Sequence, residues 1–208
     1  MILHGYFRSS AAYRVRLALN LKGLAFDNVS HHLRRGEQRA PDYLAVNPQG
    51  LVPALDIGGR VLTQSLAICE YLDEVYPQPP LLPQGALARS QVRAAAQVIA
   101  CDIHPIQNLK VLDRLRANGL SEDAVNAWAR TTIEEGLQAF EALLPDDRQP
   151  FCFGDEPGLA DICLVPQLVN ARRFGADLTS ARIAEIEHNC LQLEPFQRSL
   201  PEKQPDAE

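Results

Sequence analysis

Arg8-Ser9-Ser10 stands where a short apolar run, Ile2-Leu3-His4-Gly5-Tyr6, gives way to a helical pattern. The first turn of a helix exposes unpaired backbone N–H groups and a partial positive charge, so such a junction favours an anion. Ser9 or Ser10 can serve as a plain helix cap. Either can also donate its hydroxyl to a bound anion, with Arg8 as the counter-charge. Gln64-Ser65 repeats the arrangement at the start of a second helical pattern, setting an amide and a hydroxyl beside another group of N–H donors. Both junctions follow strand-like runs. Two helix N-termini at one end of a sheet suit a ligand with several negative groups.

The elements that position these junctions can be read along the chain. Ile2–Tyr6 is a strand, and residues 11–22 form a helix with Ala11, Val15, Ala18 and Leu19 on one face, closed by Gly23. On this reading Arg14, Arg16 and Lys22 lie off that face, and the two arginines are surface residues. Residues 25–32 are a second strand and residues 41–46 a short helix, followed by the turn cluster Asn47-Pro48-Gln49-Gly50. Residues 52–57 and 60–63 flank Gly58-Gly59, a two-residue hairpin signal. Ser65 opens a helix through Ile68, Leu72 and Val75. The order β-α-β-α-β-β-α describes a small sheet with helices packed on it.

Residues 77–83 hold four prolines in seven positions, which stops the helix and stiffens the segment into a linker. Beyond it the periodicity is helical over about 87–117, 122–144, 158–173 and 179–191. An α/β domain over residues 1–77 is therefore followed by an all-α domain over 84–208.

Composition narrows the function classes. The chain has 208 residues, 46% apolar and 22% charged, with a net charge of −6. That is enough apolar chain for a buried core, and too acidic overall for a general nucleic-acid binder. The charge is uneven: residues 1–40 carry seven bases and two acids. Cys69, Cys101, Cys152, Cys163 and Cys190 form no C-x-x-C pair and read as reduced core thiols, not as zinc ligands. No run approaches the ~20 apolar residues of a membrane span, and Met1–Gly5 lacks a signal-peptide core. A soluble, cytoplasmic protein is expected, with no metal.

Several segments resemble one family. Arg8 to Leu19, with Arg8-Ser9-Ser10-Ala11-Ala12-Tyr13-Arg14-Val15-Arg16, is similar to the opening of zeta-class glutathione transferases. So are Asn47 to Leu55, Gln64 to Leu72, Asp102 to Asn108 and Gly154 to Asp161, in the same order over about residues 1–205. The resemblance implies a thioredoxin-like glutathione-binding N-terminal domain, an all-α substrate-binding domain and a homodimer. The implied activity is glutathione-dependent cis–trans isomerisation of maleylacetoacetate to fumarylacetoacetate by reversible thiolate addition. Maleylpyruvate isomerisation, general transferase activity and a non-catalytic binding role are the alternatives.

The resemblance also implies roles for residues. Ser9 and Ser10 donate to the glutathione sulfur, and Gln64 and Ser65 hold the γ-glutamyl carboxylate. Val52 pairs its backbone with the cysteinyl part, ahead of a cis Pro53. Gln49 serves the glycyl end, shared with His104 or Asn108. Arg8 binds one substrate carboxylate, and Arg172 or Arg173 the other. A free thiol is only about 3% ionised at neutral pH. Lowering its pKa by about two units takes roughly 2.7 kcal/mol, within reach of a helix end plus hydroxyl donors. Where many members have cysteine after the two serines, this chain has Ala11, so no enzyme thiol is available as nucleophile there. Asp161, behind a Gly158 cap, has a folding role, and Trp128, Phe151 and Phe153 are packing residues.

Overall fold

A computed structural model describes residues 1–208. Strand β1 (Ile2–Gly5) lies centrally, pairing parallel with β2 (Asp27–Ser30) from Ile2–Asp27 to Gly5–Ser30. On its other side β3 (Ala54–Asp56) runs antiparallel, and β4 (Val61–Thr63) runs antiparallel to β3. The sheet order is β2-β1-β3-β4. Gly58 and Gly59 turn the hairpin with φ of 79° and 91°, the left-handed geometry that a tight two-residue turn demands.

Helix α1 (Ser10–Leu21) follows β1, α2 (Pro41–Val46) precedes the Asn47 turn, and α3 (Ser65–Val75) follows β4. Because β4 is antiparallel to β3 and β3 to β1, β4 and β1 point the same way. Their C-terminal ends therefore share one edge of the sheet, and α1 and α3 both begin there.

The expectation of surface positions for Arg14 and Arg16 is overturned, and Lys22 is enclosed with them. All three are buried. Arg14 stands three residues after Ala11 and four before Ala18, so helical spacing puts it on the apolar face itself. Lys22 is buried because its ammonium has partners: it donates to Asp73 Oδ1 at 2.7 Å and to the Pro79 carbonyl at 2.5 Å. Asp73 also accepts from Leu81 N at 2.7 Å, which ties the proline-rich segment to α1 and α3.

The chain divides into two compact units, Met1–Leu81 with Leu191–Glu208, and Leu82–Cys190. This differs from a boundary that leaves all of 84–208 in the helical part. The C-terminal segment carries α9 (Glu194–Ser199), and that helix packs on α1, where the Ser199 carbonyl accepts from buried Arg16 and Ser199 Oγ accepts from Asn20 at 2.7 Å. Buried donors on α1 need acceptors, and this segment supplies them.

The second unit consists of α4 (Ala86–Gln97), a π-helical turn over Val98–Ile103, α5 (Leu109–Ala117), α6 (Glu122–Ala142), α7 (Leu159–Phe174) and α8 (Ala181–Leu191); α9 (Glu194–Ser199) belongs to the first. The single helix expected over 87–117 is broken between 104 and 108. Pro105 has no N–H to continue it, and Asn108 caps α5 by accepting from Lys110 N at 3.1 Å. Gly136 of α6 meets the π-helical turn so closely that a Cβ there would lie 2.2 Å from Ile103 Cγ1.

Asp161 is buried at the head of α7. Its Oδ2 accepts from Gly158 N and its Oδ1 from Cys152 N, each at 2.9 Å, joining the start of α7 to the preceding loop. Burial pushes its pKa up, against the lowering effect of those two N–H donors. Four of the cysteines are buried, but Cys101 is exposed, and Trp128 is exposed with its Nε1 donating to the Ile106 carbonyl at 3.2 Å. Neither is the core residue that its apolar character suggests.

Candidate functional site

At the start of α1, Ser9 is the N-cap. Its backbone is extended, and its Oγ accepts from Ala12 N at 3.2 Å. That bond uses an oxygen lone pair and leaves the hydroxyl proton to be donated. The two readings of this serine, cap and donor, are therefore compatible. Ser10 is the first residue of the helix, and both side chains are buried. No acidic residue occupies the first turn, so the positive end of α1 has no counter-charge of its own. Arg8 precedes them, half-buried, its guanidinium carbon 4.9 Å from the centre of the Phe7 ring.

Gln64 at the head of α3 is the sole non-glycine residue with positive φ, at 69°. Such a backbone costs about 1–3 kcal/mol and persists where surroundings impose it. Its side chain does not cap the helix but donates from Nε2 to Gln49 Oε1 at 3.0 Å. Gln49 and Gln64, fifteen positions apart, thus meet. Gln49 lies in a turn held from below by Asn47, whose Oδ1 accepts from Gln49 N at 3.1 Å while its Nδ2 donates to the Leu51 carbonyl at 2.7 Å. Tyr43 OH donates to the same carbonyl at 2.6 Å, and burial pushes the phenol up to about 12, so it stays a donor. Val52 follows, and the Val52–Pro53 peptide is cis.

Behind Ser65 sits Arg14, 1% exposed, donating from Nη1 to Ser65 Oγ at 3.4 Å. Its Nε and Nη2 have no hydrogen-bond partner in the protein. A buried guanidinium with unused donors, beside a helix N-terminus with no acid in its first turn, concentrates positive potential at Ser65. Sequence reasoning missed this residue; its spacing from Ala11 and Ala18 is the signal that locates it. The arrangement can hold a carboxylate at α3 and stabilise a second anion, such as a thiolate, at α1.

In the helical unit, His104 ends the π-helical turn and Asn108 caps α5, with Asn108 Nδ2 3.3 Å from His104 Nε2. Arg172 and Arg173 lie in the last turn of α7. Arg172 makes a two-pronged pair with Glu187 of α8, from Nη1 to Oε1 at 2.7 Å and from Nη2 to Oε2. No helix is long and apolar enough to cross a membrane, and no three His, Cys, Asp or Glu side chains converge as a metal set.

Comparisons with known proteins agree over the whole chain. Family models described as the N-terminal and C-terminal domains of glutathione S-transferase match residues 8–75 and 86–189. A maleylacetoacetate isomerase from Pseudomonas aeruginosa is 47% identical, over 100% of this chain and 99% of that one. The holo structure of a maleyl pyruvate isomerase, described as a bacterial zeta-class glutathione S-transferase, is 47% identical with a TM-score of 0.97 and full coverage of both chains. A maleylacetoacetate isomerase structure from Methylobacterium extorquens AM1, with bound malonate and GSH, is 41% identical with a TM-score of 0.95, again covering both chains fully. With the fold, the motifs and full-length relatives in accord, the chain belongs to the zeta class of the glutathione S-transferase family.

Proposed function

We propose that this protein is a glutathione-dependent cis–trans isomerase that converts maleylacetoacetate to fumarylacetoacetate. The observation that carries the reading is the shared sheet edge of α1 and α3, one start bearing Ser9 and Ser10 and the other Gln64, Ser65 and buried Arg14. The donor set fits glutathione. Ser65, the α3 N–H groups and Arg14 suit its γ-glutamyl carboxylate, and Val52 offers main-chain groups to its cysteinyl part in the manner of an added strand. Gln49, which meets Gln64, suits the glycyl carboxylate.

Bound glutathione supplies a thiolate whose reversible addition to the cis double bond leaves a single bond free to rotate, with no net redox change. The chain's own residues make that possible. Ser9, already fixed as a cap, donates its remaining proton to the sulfur, with Ser10 beside it, and the α1 N-terminus favours the charged form. Arg8 binds one carboxylate of the diketo acid and offsets negative charge that develops next to it. Arg173 or Arg172 takes the second carboxylate, and for Arg172 that means opening or sharing its pair with Glu187. In this reading the first unit binds glutathione, the helical unit selects the substrate, and the protein acts in the cytoplasm as a homodimer.

The same groups suit maleylpyruvate, a reading favoured by the likeness to the maleyl pyruvate isomerase structure. The deciding experiment follows loss of absorbance of each cis substrate, with and without glutathione. Turnover that needs glutathione and is faster on maleylacetoacetate supports the proposal, and faster turnover of maleylpyruvate reassigns the substrate. Glutathione binding without turnover of either substrate defeats it. Arg8→Ala should abolish most of the activity in a protein that still folds.

A further inference from the structure

Both peptide units that flank the Phe7 Cα are gripped by charged side chains. Phe7 N donates to Asp206 Oδ2 at 3.0 Å, and the Phe7 carbonyl accepts from Arg16 Nη2 at 3.2 Å. Asp206 is 199 positions away in the C-terminal tail, and the same carboxylate oxygen accepts from Ser30 Oγ, at the end of β2, at 2.5 Å. Arg16 is in turn held by that end of the chain, donating from Nε and Nη2 to the Ser199 carbonyl at 3.4 and 3.3 Å. The guanidinium is 2% exposed, and burial lowers its pKa to about 10, with Tyr13 and Asp206 opposing the fall, so it remains cationic at neutral pH. The tail itself is rooted by Gln204, whose Nε2 donates to the Arg198 and Leu200 carbonyls at 2.9 and 2.8 Å.

Within the turn the constraint is slight. Ser9 N donates to the Tyr6 carbonyl at 2.9 Å, and Phe7 and Arg8 span the gap between them. Rotation of the Phe7 peptide would swing both the Arg8 side chain and the Cα of Ser9. A displacement of about 1 Å in a reacting group can cost roughly 100-fold in rate. Asp206 holds the Tyr6–Phe7 peptide unit through its N–H and Arg16 holds the next one, Phe7–Arg8, through its carbonyl, so charged groups on both sides of the Phe7 Cα resist that rotation, and charge-assisted bonds are the stronger kind.

We infer that Asp206 is a positioning residue for the Arg8-Ser9 turn, acting with Arg16 so that the C-terminal tail aims the groups that face the glutathione sulfur and the substrate. This rests on the functional reading of Ser9 and Arg8 given above. Removing the Asp206 charge by itself would lower the pKa of a nearby thiol, because a like charge disfavours the thiolate. Losing the position of the Ser9 hydroxyl would raise it. The two effects have opposite signs, and the difference makes the role measurable.

The test compares the full-length parent with Asp206→Ala and Asp206→Asn. Ultraviolet titration reads the thiolate of bound glutathione, and amide hydrogen exchange reads residues 7–10. In Asp206→Ala the Phe7 amide should exchange about ten-fold faster or more, and the thiol pKa should rise. In the same variant kcat should drop about ten-fold while KM for glutathione moves less than about two-fold, the split expected of lost transition-state alignment. Asp206→Asn keeps an acceptor for Phe7 N–H, so it should restore the exchange protection and leave the thiol pKa at or below the parent's. A thiol pKa that falls alike in both variants overturns the proposal, and so does Phe7 exchange that is the same in Asp206→Ala and the parent. A parent that isomerises neither cis diketo acid defeats the functional reading alone, since exchange and thiolate titration need no turnover.

Discussion

His4 Nδ1 and His31 Nε2 lie 3.0 Å apart, with the two rings stacked at 5.3 Å between centres and the Tyr43 ring 4.1 Å from His31. One imidazole must donate and the other accept, so the contact cannot survive with both rings charged. Burial lowers the pKa of each; Asp56 opposes this at His4, while at His31 the neighbouring His4 adds to it and Asp42 and Glu37 oppose it. For a base with a depressed folded pKa, the unfolded chain takes up the proton first. The stability contributed by this pair is therefore complete above the ordinary imidazole value of 6.5 and is lost as pH falls below it.

The melting temperature should accordingly decline from neutral pH towards about pH 5, as the unfolding free energy falls by at most about 1.4 kcal/mol per pH unit for each proton taken up only by the unfolded chain. His31→Gln removes one titrating ring, and its melting profile should be flatter over the same interval. A profile parallel to the parent's would mean that other groups set the acid sensitivity.

Ser9 serves as cap and as donor, and two substitutions separate these uses. Ser9→Ala removes both, costing about 1 kcal/mol of stability and about 100-fold in kcat if the hydroxyl stabilises charge in the reaction. Ser9→Gly retains most of the capping preference, within a few tenths of a kcal/mol, yet should lose activity as severely as Ala. Urea unfolding alongside kinetics reads both quantities. Full activity in the glycine variant would transfer the sulfur contact to Ser10.

What could be read in advance depended on whether a residue's signal was local. Gly58-Gly59 and the prolines of 77–83 act through their own backbones, and the hairpin and the helix stop lie where those residues put them. Ser9 and Gln64 were legible for the same reason, since a helix start follows from neighbours in sequence. The spacing of Arg14 put it on the apolar face, but that Arg14 and Arg16 are buried as charges was not legible, because a charged side chain is buried only when distant partners receive it. Ser65 and Ser199, 51 and 183 positions away, are those partners. The placement of residues 191–208 beside α1 is illegible for the same cause: the acceptors for Arg16 and Asn20 are fixed by tertiary packing.

Arg14 offers a sharper test of anion binding than any surface arginine. Replacing a buried charge by an apolar side chain of similar volume is often neutral or stabilising. Arg14→Met should therefore melt at or above the parent temperature. Its affinity for glutathione should nevertheless fall about ten-fold or more, because Ser65 and the α3 N–H groups lose a reinforcing charge in a low-dielectric setting. Calorimetric titration and thermal melts together check this. Affinity equal to the parent's would show that the α3 N-terminus alone holds the carboxylate.

Arg172 and Arg173 are neighbours in sequence with separate duties, because successive residues on a helix point about 100° apart. Glu187 is largely buried, its side chain 9% exposed, whereas that of Arg172 is 53% exposed. Arg172→Ala would leave Glu187 without its two-pronged partner. The cost of breaking a fully buried pair is discounted here for the solvent around Arg172, giving about 1–2 kcal/mol. Arg173 is exposed, so Arg173→Ala should cost less stability than Arg172→Ala, at most about 1 kcal/mol for any surface contact it loses. The kinetic pattern should be the reverse: KM for the diketo acid rises about ten-fold or more in Arg173→Ala, through loss of a charge-assisted carboxylate contact, and little in Arg172→Ala. Steady-state kinetics with the dicarboxylate and with its monoester completes the argument, since the monoester should narrow the gap between Arg173→Ala and the parent. A larger rise in KM from Arg172→Ala than from Arg173→Ala would return the second carboxylate to Arg172.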